Sequence, residues 1–260
     1  MAEYIKDYGF HTPNQDEEKI FRITKGQVVA GYALGIMVLD VHYPLIPGNV
    51  ANASTYPYPV RLKQVRGATT TRLFQNDRTL LDDFIQAAKK LELEGVRAIS
   101  GGCGYFANFQ KELAESVDIP VFMSALLQVP FIKLGLRSDQ KIGVICATKE
   151  GLTDKTLRAV GIEDMSSIVI EGLEDTEEFG SLVNCTKHEF SNSKIRNEVV
   201  SASINLVKSN NIGAILLECS DLPPYAADIQ REVNLPVFDY ISLHNWIYHA
   251  VIQRPYLGWM

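Results

Sequence analysis

An α/β fold made of two similar halves is what the sequence predicts, and three observations predict it. Short apolar runs alternate with amphipathic stretches along the chain, the rhythm of strands and helices in mostly parallel sheets. A unit ending in cysteine, followed by a proline at a fixed spacing, occurs twice. The 260 residues, 46% hydrophobic and 22% charged, suffice for one large domain or two lobes with buried cores.

In chain order, residues 1–27 read as a polar N-terminal extension around the charged run Asp16-Glu17-Glu18-Lys19. Strands are expected at Tyr32–Leu39, Val96–Ser100, Val121–Phe122, Ile142–Ala147, Ser167–Ile170, Ala214–Leu217 and Val237–Phe238, apolar runs bounded by turn residues. The segment Pro47–Pro59 is dense in proline, glycine and asparagine and belongs in a surface loop. A helix is expected over Thr79–Leu93, with Leu80, Phe84, Ala87, Ala88 and Leu91 on one face and Gly95 as its stop. A second amphipathic stretch, Asn197–Lys208, ends before Asn210-Asn211-Ile212-Gly213.

The halves are visible as a repeat. Glu94–Cys103 and Asn211–Cys219 share a glycine, an apolar run and a terminal cysteine, and each cysteine is followed 17 positions later by a proline, Pro120 and Pro236. Leu34–Asp40 and Ile142–Thr148 form an earlier pair, each an apolar run led by glycine. The spacing is 108 residues at that pair and 116 at the cysteines, as a degenerate internal duplication with a modest insertion would give.

A net charge of -6 with scattered lysines and arginines provides no basic face for nucleic acid. No segment approaches the ~18–20 apolar residues that span a bilayer, and the first 27 residues lack the segments of a signal peptide, so a cytoplasmic location without membrane partners is expected. Cys103, Cys146, Cys185 and Cys219 include no CxxC pair and read as thiols rather than as a zinc site or disulfide framework. No glycine-rich phosphate loop is present. His42, His188 and His244 sit in no metal or triad pattern and read as surface or packing residues.

Cys103 and Cys219 stand where an apolar strand ends and a helix begins, the carboxyl edge where open α/β sheets bind ligands. Backbone N–H groups there favour a carboxylate or a thiolate. If a pseudo-two-fold axis relates the halves, the two thiols can face each other across one pocket. Opposed thiols suit removal of a proton from one face of a carbon and its return to the other, with donors that stabilise the enolate-like charge.

These duplicated cysteine units resemble the aspartate/glutamate/hydantoin racemase superfamily over about residues 28–251. Cys219-Ser220-Asp221-Leu222-Pro223 is similar to that family's second motif, with Ser220 for the usual threonine and Asp221 for glutamate. The resemblance implies two Rossmann-like lobes, the first of residues 28–130 plus 225–260 and the second of 131–224, with the active site in the cleft between them. It implies a racemase or epimerase acting α to a carboxylate, a PLP-independent mechanism with no cofactor and no metal, and a homodimer or higher homo-oligomer. Ser220 would contact a small carboxylate or amino-acid-like substrate, and Asp221 would polarise or orient it; an N-terminal helix position is the structural alternative for Asp221.

The first motif departs from the amino-acid racemase pattern, because Gly104 and Tyr105 follow Cys103. Their backbone N–H and hydroxyl suit an otherwise substituted acid. Asn52 and Thr55 in the turn-rich loop, Asp40 and Thr148 at the ends of the repeated first strands, and Ser124 beyond Val121-Phe122 complete the expected substrate contacts. Alternatives are decarboxylation or cis-trans isomerisation on the same fold, or a non-catalytic binder of small anions. Two cysteines 116 residues apart give no sequence sign of disulfide cycling.

Overall fold

The computed structural model describes Glu18, Ile20 and residues 26–260, so nearly all of the expected N-terminal extension lies outside the described residues. The first sheet contains β1 (Leu34–Val38), β2 (Val60–Gln64), β3 (Ala98–Gly101) and β4 (Val121–Phe122) in the order β2-β1-β3-β4. Along the chain these strands alternate with α1 (Thr70–Phe74), α2 (Leu81–Leu93) and α3 (Gln110–Ser116), and α4 (Val129–Leu134) follows, packing on the first strand of the second sheet. The second contains β5 (Lys141–Cys146), β6 (Ile168–Gly172), β7 (Ile212–Leu217) and β8 (Val237–Phe238) in the order β6-β5-β7-β8. With it go α5 (Asp154–Ala159), α6 (Phe179–Val183), α7 (Asn192–Ser209) and α8 (Ala226–Val233). Every strand pairing is parallel.

The two sheets have the same order, and the repeat seen in the sequence maps β1 onto β5 and β3 onto β7. The glycine that leads each first strand has one purpose in both halves. A Cβ on Gly35 would lie 3.0 Å from Leu91 of α2, and one on Gly143 would lie 2.7 Å from Leu206 of α7. Each glycine therefore lets the long helix of its lobe settle close onto the sheet.

Residues 226–238 pack and pair with the second sheet, through α8 on α7 and β8 on β7. The expected lobe boundary at 224 thus cuts through the second unit, because the proline-led strand at Pro236 repeats the one at Pro120. What returns to the first lobe is α9 (Tyr240–Val251). It opens on a reciprocal capping box between Asp239 and Ser242, and it packs on β1, β3 and β8. From it Tyr240 donates to the Met123 carbonyl at 3.2 Å, and His244 lies 2.8 Å from the Ser100 hydroxyl. Burial pushes His244 down to about 3, so it is a neutral core residue. No helix among the described residues is long and apolar enough to cross a membrane.

Candidate active site

Both cysteines are placed by the same backbone device. One residue past β3, the Gly102 amide still reaches across to the Met37 carbonyl of β1 at 2.7 Å; one residue past β7, the Glu218 amide reaches the Ile145 carbonyl of β5 at 2.8 Å. The next residue is Cys103 in one lobe and Cys219 in the other. Each then accepts from an amide that turns the chain, Phe106 on the Cys103 carbonyl and Leu222 on the Cys219 carbonyl. Both thiols are buried, and Cys103 is near enough to raise the pKa of Cys219. The duplicated strand ends bring the two cysteine turns together, Glu218 of one lying against Gly104 of the other.

Around Cys219 the setting is acidic. Its thiol donates to Asp221 Oδ2 at 3.6 Å. The same carboxylate accepts from the Tyr43 hydroxyl at 2.9 Å and from the Asn49 amide. Tyr43 and Asn49 belong to the other lobe, in the connection that follows β1. Burial raises the Asp221 pKa, against the three side chains that donate to it, and those three donors fix the orientation of its carboxyl. A small cavity borders Asn49, Asp221 and Tyr225 and is otherwise walled mainly by apolar side chains, among them Phe179 and Leu182. The Tyr43 ring is half-buried, yet its hydroxyl is enclosed, and burial first, then Asp221 and Cys219, raise its pKa.

Around Cys103 the setting is aromatic. Tyr105 and Phe106 follow it and are buried, and Phe106 stands edge-on to Phe84 with ring centroids 4.7 Å apart. The Tyr105 hydroxyl is consumed by the second lobe: it donates to the Thr148 carbonyl at 2.6 Å and accepts from the Thr148 amide at 2.9 Å. No carboxylate among the described residues accepts a hydrogen bond from Cys103. Burial is the largest cause raising its pKa, followed by Glu218, and the Tyr105 and Phe106 amides act against that rise.

Glu218 joins the two settings. Its side chain is fully buried, and it fills the space that a side chain on Gly104 would need. Burial pushes its carboxyl up to about 8, offset in part by the Ala147 amide, though neither oxygen has a hydrogen-bond partner among the described residues. Its charge is felt at Cys103, Cys219, Tyr105 and Tyr240.

No family model matches the chain. It is 31% identical over 238 residues to dimethylsulfoniopropionate lyase 7 of Emiliania huxleyi, an alignment that spans 87% of this chain and 69% of that protein. The chain belongs to the dimethylsulfoniopropionate lyase family. Its fold is that of the aspartate/glutamate/hydantoin racemase superfamily. A glutamate racemase from Bacillus anthracis superposes with a TM-score of 0.55 at 16% identity, covering 86% of this chain and 85% of that one. A variant of arylmalonate decarboxylase superposes with a TM-score of 0.55 at 12% identity, covering 84% and 92%. The protein is an enzyme of this fold, and a non-catalytic anion binder does not fit the kinship.

The remaining expected contacts are spread over the cleft and its supports. Ser220 is buried beside Cys219, and its carbonyl accepts from the Val50 amide at 3.3 Å, tying the turn-rich loop of one lobe to the cysteine turn of the other. Asn52 and Thr55 spend their side chains inside that loop: Asn52 bonds Ser54 and the Leu45 carbonyl, and Thr55 bonds the Gly48 amide and the Asn49 carbonyl. They hold the loop while Asn49 reaches the site. Asp40 accepts from Gln64 and from the Gly67 amide, pinning the turn after β2. The Ser124 hydroxyl caps a short turn by accepting from the Leu126 amide at 3.2 Å. Tyr43, Asn49 and Glu218 are the site residues that sequence reasoning passed over. Glu218 had a signal: a lone acid closing the run Ala214–Leu217 must sit at the buried end of a strand.

Proposed function

We propose that the protein is a lyase for dimethylsulfoniopropionate, in which Cys219, relayed to Asp221, removes a proton from the carbon α to the carboxylate. The electron pair of that C–H bond becomes the second bond between the α and β carbons. The bond from the β carbon to sulfur breaks, dimethyl sulfide leaves with its electrons, and acrylate remains. One proton is released per turnover, carried first by Cys219 and Asp221. Burial and two neighbouring carboxyls hold the Cys219 thiol above its ordinary range, so its own proton passes to Asp221 as it accepts the substrate's.

The observation that carries this reading is the inequality of the thiols. Among the described residues only Cys219 is hydrogen-bonded to a carboxylate, at 3.6 Å. Elimination needs one base and a leaving group, whereas racemisation uses two interchangeable acid-base groups. The similarity to a protein named a dimethylsulfoniopropionate lyase supports the same choice.

Racemisation or epimerisation α to a carboxylate is the second reading, favoured by Cys103 sharing the site. One assay separates them: purified protein is given dimethylsulfoniopropionate, and released dimethyl sulfide and acrylate are measured. In parallel, chiral carboxylates, amino acids and hydantoins are incubated in D₂O. Equimolar dimethyl sulfide and acrylate are expected. Stereoinversion with deuterium uptake in the chiral panel, without dimethyl sulfide release, would replace elimination by racemisation.

A further inference from the structure

The site holds an acid that the elimination mechanism does not use. Glu218 is 0% exposed, and both of its carboxyl oxygens are unpaired among the described residues. Burying a carboxyl that only the Ala147 amide offsets, and only in part, is unfavourable, and the position permits cheaper choices: the equivalent residue in the first lobe, one place before Cys103, is Gly102. The buried polar residues include no lysine or arginine that could neutralise it. Gly104 leaves open the space that the carboxyl fills, and this places the carboxyl beside Cys103 with its charge felt at Cys219. A carboxyl kept protonated by burial in the free protein ionises when a ligand brings a cation to it.

We propose that Glu218 is the counter-ion of a cationic onium group on the substrate, which makes the enzyme selective for short zwitterionic acids over neutral-tailed acids of the same shape. The proposal rests on the reading of the site as one that eliminates a sulfonium. It names the residue that recognises the positive end, while Cys219 and Asp221 act at the α carbon. An onium group next to Glu218 also opposes the negative surroundings that raise the Cys219 pKa, so substrate binding itself favours the thiolate. Charge is thus placed where the leaving group sits and where the base must ionise.

The test uses a pair of isosteric ligands, 3-(trimethylammonio)propanoate and 4,4-dimethylpentanoate, which differ in the charge of one atom. Their affinities are measured by calorimetry on the full chain, and as competition against dimethylsulfoniopropionate turnover. Wild type is expected to bind the cationic ligand ~30-fold or more tightly than the neutral one, the scale of a buried charge pair. In Glu218→Gln that ratio falls to near one while affinity for 4,4-dimethylpentanoate is kept. The KM for dimethylsulfoniopropionate rises more than kcat falls, and Glu218→Asp restores part of the preference.

Equal binding of the two ligands by wild type, or an unchanged ratio in Glu218→Gln, overturns the proposal even if the enzyme releases dimethyl sulfide. A strong cationic preference that depends on Glu218, with no dimethyl sulfide released, keeps the onium subsite and removes the lyase reading. Should Glu218→Gln not fold, the wild-type ratio and the Glu218→Asp ratio decide.

Discussion

The two lobes share a strand order, a glycine-led first strand and a cysteine two residues past the third strand, yet they surround those cysteines differently. Cys103 is followed by Tyr105 and Phe106 and has no hydrogen-bonded acid among the described residues. Cys219 stands between Glu218 and Asp221 and donates to the latter at 3.6 Å. Duplication supplies two thiols; divergence of the residues on either side of each makes one of them the base in the proposed elimination. The fold sets where the sulfurs are, and their neighbours in sequence set what each can do.

The largest expected effect comes from breaking the stronger half of this pair. Cys219→Ser should lower kcat/KM for dimethylsulfoniopropionate by about 10³-fold, within the range for loss of a positioned base. Cys103→Ser should stay within about tenfold, the scale of one lost contact. Steady-state dimethyl sulfide release measures both, and equal losses would mean that the two thiols act as equals.

Asp221→Asn keeps the size of the side chain and removes its capacity to take the Cys219 proton. A fall in kcat of about 10²-fold is expected, with KM little changed. A fall confined to KM would assign Asp221 to substrate binding instead. Tyr43→Phe deletes one of three donors to that carboxylate, the 2.9 Å bond from the hydroxyl. It should cost about 3- to 10-fold in kcat, the scale of a single hydrogen bond. It leaves the Asn49 bond in place, and the double variant Tyr43→Phe/Asn49→Ala should lose more than either change alone.

The smallest effect is on stability and needs no substrate. Glu218 is raised by burial from 4.5 to about 8, so the stability it confers is complete below about pH 4.5 and is lost as pH rises through about 8. His244, pushed down by burial from 6.5 to about 3, works in the opposite sense, its contribution being lost as pH falls through that lower range. Between pH 6.5 and 8, therefore, wild type should lose Tm relative to Glu218→Gln, by about 2–4 °C per kcal/mol. Parallel melting curves of the two proteins would show that the acid is not held neutral by its surroundings.

Much of this was legible in the sequence because it repeats. The apolar runs ending in Cys103 and Cys219 marked equivalent strand ends, and the prolines at 120 and 236 marked the next strands of both sheets. β2 was not legible: Val60–Gln64 is a sheet-edge strand whose Arg61, Lys63 and Gln64 read as loop residues, and it follows a turn-rich segment. Within that segment the sequence could not say which polar residue turns inward. Asn52 and Thr55 build the loop and Asn49 crosses the cleft, a choice made by contacts with residues more than 170 positions away. Tyr43 is hidden for the same reason. The inequality of the two thiols was half-visible in Asp221, but its donors come from the other lobe.

Stereospecific labelling shows whether one base takes the proton from one face. Dimethylsulfoniopropionate carrying a single deuterium on the α carbon is supplied as separate R and S forms, and the mass of the acrylate is measured. One form should yield acrylate that has lost the deuterium and the other acrylate that has kept it. The same mixture of labelled and unlabelled acrylate from both forms would mean that protons leave from both faces, and would contradict the assignment of Cys219 as the single base.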